Sequence, residues 1–188
     1  MNKTTIYFIR HAESPFIFGA ERERPLSNKG FDDSRKIADK LANIQFDQFI
    51  SSSYTRAIQT LEPLVNQSEI IIYDELREKT LKGPYKLEKN IIEEAIKQSF
   101  LDVHYKLEGG ESTREAQERS IPIIKEILKN DSLHSIAIGT HGNILTSILN
   151  YFDHSIGFNF WKYSSKPDIY KVEFKDESLH TIERIRFE

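Results

Sequence analysis

Residues 6–9 (IYFI) are apolar without a break, which marks a strand covered on both faces rather than the alternation of a half-exposed one. Residues 135–140 (SIAIGT) repeat that pattern, and FDQFISS and EIIIYDEL predict two more short strands. Between them the apolar spacing changes to the helical period. PLSNKGFDDSRKIADKLANI sets Phe31, Ser34, Ala38 and Leu41 on one helical face, with Ser27 as its N-cap. YTRAIQTLEPLV predicts a helix that tolerates Pro63 only near its end, and NIIEEAIKQSF predicts another. GGESTREAQERSIPIIKEIL carries Ser112 and Glu115 at capping-box spacing, and Pro122 should kink the helix that follows. HGNILTSILNYF predicts a helix after the SIAIGT strand, while DIYKVEF and LHTIERIRF alternate like a closing pair of more exposed strands. Strands alternating with helices predict an α/β fold with a mostly parallel central sheet covered on both faces. No repeat, low-complexity tract or linker interrupts the pattern, so residues 1–188 read as a single domain.

Composition narrows the partners. With 38% hydrophobic and 29% charged residues, the chain has the balance of a soluble globular protein. A net charge of -3 without a Lys/Arg block leaves no electrostatic footprint for nucleic acid. No apolar run approaches the roughly 18 residues of a membrane span. The N-terminal run is too short for a signal peptide, so no membrane and a cytoplasmic location are expected. The absence of cysteine removes disulfides, thiolate metal sites and a cysteine nucleophile. His104, His134, His154 and His180 lack metal-ligand spacing, so neither metal nor cofactor is expected.

The candidate chemistry lies where the core strands stop. The first ends in Arg10-His11 and SIAIGT ends in His141-Gly142-Asn143, and the carboxyl ends of strands are where ligands bind in open α/β sheets. Either histidine alone reads as an ordinary loop residue; two at core-strand exits read as a site. Arg56 opens the helix after the second strand, and with Arg10 it offers the forked donors that suit phosphate. Backbone donors at helix N-termini complete an anion cradle. Other phosphate chemistries fail on inventory: there is no thiol, no DxD after an apolar strand and no GxxxxGK loop.

FIRHAES, RPLSNKG, SSSYTRAIQT, LREK, GGES and GTHGNIL occur in the order seen in the histidine phosphatase superfamily, and over about residues 5–150 the chain resembles these phosphoglycerate mutase-like proteins. The resemblance implies a three-layer α/β/α sandwich with one phosphate pocket above the sheet and a small phosphorylated substrate. It implies His11 as nucleophile, with Arg10, Arg56 and His141 on the phosphoryl oxygens. Asn143 would hold His141 or touch the phosphoryl group. Glu78 matches the acid position, and partial burial beside other carboxylates would favour its protonated form. Glu13 is the weaker candidate, locked in the turn after the nucleophile.

His11 must be neutral to attack phosphorus. Flanking arginines disfavour its protonated form, and a backbone carbonyl is the expected partner of its other ring nitrogen. Arg22 and Arg24 either reach a second anionic group or form plain surface ion pairs. Trp161, Phe158, Phe160 and Tyr163 are expected in the core. The chain departs from the family pattern at Ala12, at Ile17 where mutases tend to carry asparagine, and in KTLKGPYK, which lacks the tryptophan motif of small phosphatases. Residues 79–108 are the expected lid, and their shortness favours a phosphatase over a phosphoglycerate mutase. A retired, non-catalytic phospho-ligand module is disfavoured by retention of all five pocket residues. A homodimer is left open.

Overall fold

The computed structural model describes residues 3–186. The N-terminal apolar run becomes strand β1 (Lys3–Arg10), and SIAIGT becomes β4 (Ser135–Thr140). FDQFISS and EIIIYDEL shorten to β2 (Gln48–Ser52) and β3 (Ile70–Tyr73), and the chain closes with β5 (Asp168–Lys175) and β6 (Ser178–Ile185). The strands form one sheet in the order β3-β2-β4-β1-β5-β6. Pairings among β3, β2, β4 and β1 are parallel, and β5 and β6 join antiparallel at one side. The fold is therefore the expected mixed α/β architecture, a mostly parallel sheet flanked by helices.

The unbroken apolar runs have a direct cause. Along β1, Ile6 and Phe8 enter a core layer shared with the C-terminal helices, while Tyr7 and Ile9 enter the opposite layer with Ile37 and Leu41. Helices cover both faces, so residues 6–10 of β1 and 136–140 of β4 are buried without a break. The first layer takes helices α4 (Thr113–Lys129) and α5 (Gly142–Phe152); the second takes α1 (Asn28–Leu41) and α2 (Thr55–Leu61). Ser27 caps α1 by accepting from the Gly30 N–H, and the Ser112/Glu115 capping box is formed in full. Helix α4 continues through Pro122. A mid-helix proline costs about 3 kcal/mol, which is outweighed by burial of Ile121, Ile124, Ile127 and Leu128 at roughly 1.5–3 kcal/mol each.

Three expectations are corrected. The buried stripe of α1 runs through Gly30, Asp33, Ser34, Ile37 and Leu41, so Ile37 rather than Ala38 faces the sheet and Phe31 is only half-buried. Strand β5 is largely buried because β1 and β6 enclose it, so of the closing pair only β6 is an exposed edge. The aromatic cluster forms a short helix, α6 (Phe158–Tyr163), with no buried residue, and Tyr163 is 72% exposed. Only Phe160 packs on the core, against Tyr170. Helix α3 (Lys89–Leu101) lies within the expected lid and rests near α6, where Lys162 pairs with Glu93 at 2.7 Å.

Candidate active site

β1 and β4 are adjacent, and their register pairs Arg10 with Thr140, so the two histidines emerge side by side. The His11 N–H donates to the Thr140 carbonyl at 3.0 Å. The imidazole rings of His11 and His141 lie 5.2 Å apart. His11 Nδ1 is 2.7 Å from the Ala12 carbonyl, which can only accept, so the proton sits on Nδ1 and the Nε2 lone pair is free. The Ala12 N–H donates to Thr60 Oγ1, which in turn donates to the Arg56 carbonyl, tying this turn to α2.

Arg10 lies against Gly142: a Cβ there would stand 2.7 Å from Arg10 Cζ, so the glycine makes room for the guanidinium. Arg10 Nη1 donates to Ser164 Oγ and, at 3.2 Å, to the Ser164 carbonyl. Arg56 is almost wholly buried, with Nη1 on the Glu21 carbonyl at 2.5 Å and Nη2 on its carboxylate at 2.6 Å. Arg24 is buried as well. Its Nη1 reaches both oxygens of Ser14 at 2.8 Å, and its Nε and Nη2 approach the Glu21 carboxylate at 3.3 Å. Glu21 therefore holds Arg24 and Arg56 together. Arg22, in contrast, makes a half-exposed pair with Asp74 at 3.0 Å, the plain surface alternative.

His141 is fully buried, and its Nε2 lies 2.7 Å from Ser52 Oγ. Among the described residues His141 Nε2 is the one acceptor within reach of the Ser52 Oγ proton, so the hydroxyl donates to Nε2 while accepting the Tyr54 N–H, and His141 carries its proton on Nδ1. Among the described residues four buried side-chain polar atoms have no partner, and three of them are Arg10 Nε, Arg56 Nε and His141 Nδ1. An unsatisfied buried donor costs about 1–3 kcal/mol. All three belong to residues close to His11, and donors left unpartnered there suit an anion.

Glu78 accepts from the backbone N–H of Lys79 and Ile144 at 2.8 Å and of Asn143 at 3.2 Å, so its carboxylate caps α5 behind His141. Asp74, a carboxylate close to it in sequence, is engaged by Ser53, Arg22 and Arg77. The cations Arg10, Arg56, Lys79 and Lys166 all feel the charge of Glu78. Asn143 contributes its backbone N–H to Glu78, and Ser52 holds His141 in its place. Glu13 sits in the turn as expected, accepting from Ser27 Oγ at 2.7 Å.

Glu21, Ser52 and Lys166 escaped the sequence reading. Lys166 is fixed by its flanks: Ser164 is bonded to Arg10, and Asp168 is Arg10's partner across the β1–β5 ladder. Lys79 is buried against Thr113, and burial pushes its ammonium down to about 8. Among the described residues no group of three His, Asp or Glu side chains is placed to hold a metal ion, and no helix is long and apolar enough to cross a membrane.

Burial, with Arg56 and then Arg10 and Lys166 adding to it, holds His11 well below the usual histidine range against the opposing pull of the Ala12 carbonyl. Burial, then Arg56, His11 and the other arginines do the same for His141. In the unfolded chain both titrate near about 6.5. Below that pH the unfolded state takes up protons that the folded state refuses, so stability is full above pH 6.5 and falls with acidification. The slope reaches about 1.4 kcal/mol per pH unit per histidine. Urea unfolding between about pH 6.5 and 5, above the main carboxylate range, should show this loss; a flat profile there would mean that the two rings are not held neutral.

A model described as the histidine phosphatase superfamily, branch 1, matches residues 6–184. Mycobacterial glucosyl-3-phosphoglycerate phosphatase has a similar structure, with a TM-score of 0.74 at 17% identity over 97% of each chain. Bacillus stearothermophilus YhfR superposes with a TM-score of 0.73 at 23% identity over 94% of each chain. A phosphoglycerate mutase from Bacillus anthracis gives 0.73 at 18% identity, over 98% of this chain and 93% of its own. Among curated proteins none matches the sequence.

Proposed function

Because the chain belongs to branch 1 of the histidine phosphatase superfamily, whose structural relatives include phosphatases and a mutase, we propose that it hydrolyses a phosphate monoester through a phosphohistidine on His11. The observation that carries this reading is that Arg10, Arg56 and His141, all close to a histidine whose Nε2 is free, each keep a buried side-chain nitrogen without a partner: Arg10 Nε, Arg56 Nε and His141 Nδ1. Nε2 attacks phosphorus and the bond to the ester oxygen breaks. The leaving oxygen takes a proton from Glu78. Water, deprotonated by Glu78 in return, then cleaves the N–P bond and releases phosphate. The arginines and His141 offset the negative charge on the equatorial oxygens throughout.

Hydrolysis is favoured over isomerisation by the segment after Glu78. A mutase must keep its phosphohistidine from water until the intermediate turns round. Here the chain between Glu78 and Glu111 closes on itself: the Glu111 N–H donates to the Thr80 carbonyl at 2.7 Å and the Gly83 N–H to the Glu108 carbonyl at 2.9 Å. Ile17, where mutases tend to carry asparagine, is 46% exposed. The test supplies 3-phosphoglycerate with a bisphosphoglycerate primer and follows 2-phosphoglycerate and free phosphate together. Phosphate should dominate; isomer formed much faster than phosphate would establish the mutase instead.

A further inference from the structure

Phe16, Ile17 and Phe18 are 74%, 46% and 58% exposed, three consecutive large apolar side chains that the core does not use. Contiguous exposed apolar surface of this kind marks a binding surface more often than it marks neglect. Its position follows from its two ends. Ser14, just before it, is held through both oxygens by Arg24. Glu21, just after it, is held by Arg56 and Arg24. The intervening six residues thus leave and return at the two guanidinium groups beside the phosphate pocket. Ala20 N–H closes a turn on the Ile17 carbonyl at 3.1 Å, and Gly19 makes it possible with φ +79°. No residue of this excursion is more than three from an anchor, which limits its reach to about 10 Å. Tyr163 is 72% exposed and directly precedes Ser164, the residue bonded to Arg10. Apolar side chains therefore flank the arginines from two separate elements.

We propose that Phe16, Ile17 and Phe18, together with Tyr163, form an apolar platform for the leaving group, so that the substrate is an amphiphilic phosphate monoester: a phosphate head on a hydrocarbon or aromatic body. The proposal rests on the phosphatase reading and specifies its substrate class. Arg10, Arg56 and His141 take the head, and the platform removes the body from water as the ester binds. A sugar phosphate, hydroxylated along its length, has less apolar surface to bury against these side chains than a hydrocarbon body does.

The experiment measures kcat/KM for straight-chain alkyl phosphates from ethyl to decyl, each below its micelle concentration. A methylene buried in full is worth about fourfold in affinity, so a rise of about two- to fourfold per carbon over several carbons is expected. In the Phe16→Ser/Phe18→Ser double variant that slope should fall towards zero, with circular dichroism confirming the fold. Binding of the matching alkylphosphonates, followed by calorimetry, reads the same slope without turnover. If ethyl phosphate is hydrolysed but both slopes are flat, the platform is wrong and the phosphatase reading stands. If phosphonates bind with a rising slope and no ester turns over, the platform stands and the phosphatase reading fails. Flat slopes combined with sedimentation of the protein on phosphatidylglycerol vesicles, or with self-association lost in the double variant, would give the surface to a membrane or to a second copy and overturn the proposal.

Discussion

His11→Ala is expected to abolish both turnover and the covalent intermediate, with a loss on the order of 10⁶-fold, the scale on which a covalent mechanism depends on its nucleophile. No other group can take the role. His141 has its Nε2 occupied by the Ser52 hydroxyl and offers only an N–H to the pocket. Glu78 spends its carboxylate on three backbone donors. Substrate labelled on phosphorus should leave acid-labile, base-stable label on the wild-type protein after rapid quenching, and none on the variant. The variant should fold, since alanine removes a ring from the pocket edge and leaves the His11–Thr140 backbone bond in place. Label persisting in a folded His11→Ala protein would remove His11 as nucleophile.

Which parts of this site could be read from the sequence follows from how each residue is fixed. His11 and His141 end uninterrupted apolar runs, and such runs become adjacent central strands, so local pattern alone sets them at one sheet edge. Ser27, Ser112 and Glu115 are local in the same sense, because a cap is a contact across three residues. Glu21 was illegible for the opposite reason. It lies in ERER, which reads as a solvated charge run, and its partner Arg56 is 35 residues away. Ser52 acts across 89 residues, and Lys166 reaches the pocket only because β5 pairs antiparallel with β1. The capping contact of Glu78 has the same root, since the Asn143 and Ile144 N–H groups it accepts from are 65 and 66 residues away. The aromatic run at 158–163 looked like core because composition cannot say that a short helix will lie outside the sheet's helical layers.

Glu78→Gln is expected to separate substrates by leaving group. An alkyl phosphate expels an alkoxide that needs a proton in the transition state, whereas a p-nitrophenyl ester expels a stable phenolate that scarcely does. General acid catalysis is worth about 10²- to 10⁴-fold, so the variant should lose roughly that much on ethyl phosphate and far less on p-nitrophenyl phosphate. Glutamine also tests the capping contact. Its amide oxygen can still accept from the helix, but its NH2 cannot, so one of the N–H groups of Lys79, Asn143 or Ile144 loses a partner. A lost capping bond costs about 0.5–2 kcal/mol, visible in the urea midpoint. That cost falls on both substrates alike, because it perturbs α5 and His141 before any leaving group is chosen. The ratio of the two losses, rather than either alone, therefore reports the proton. Equal losses on the alkyl and aryl esters, with the urea midpoint lowered, would leave Glu78 a structural cap and place the acid elsewhere, with Glu13 the next candidate.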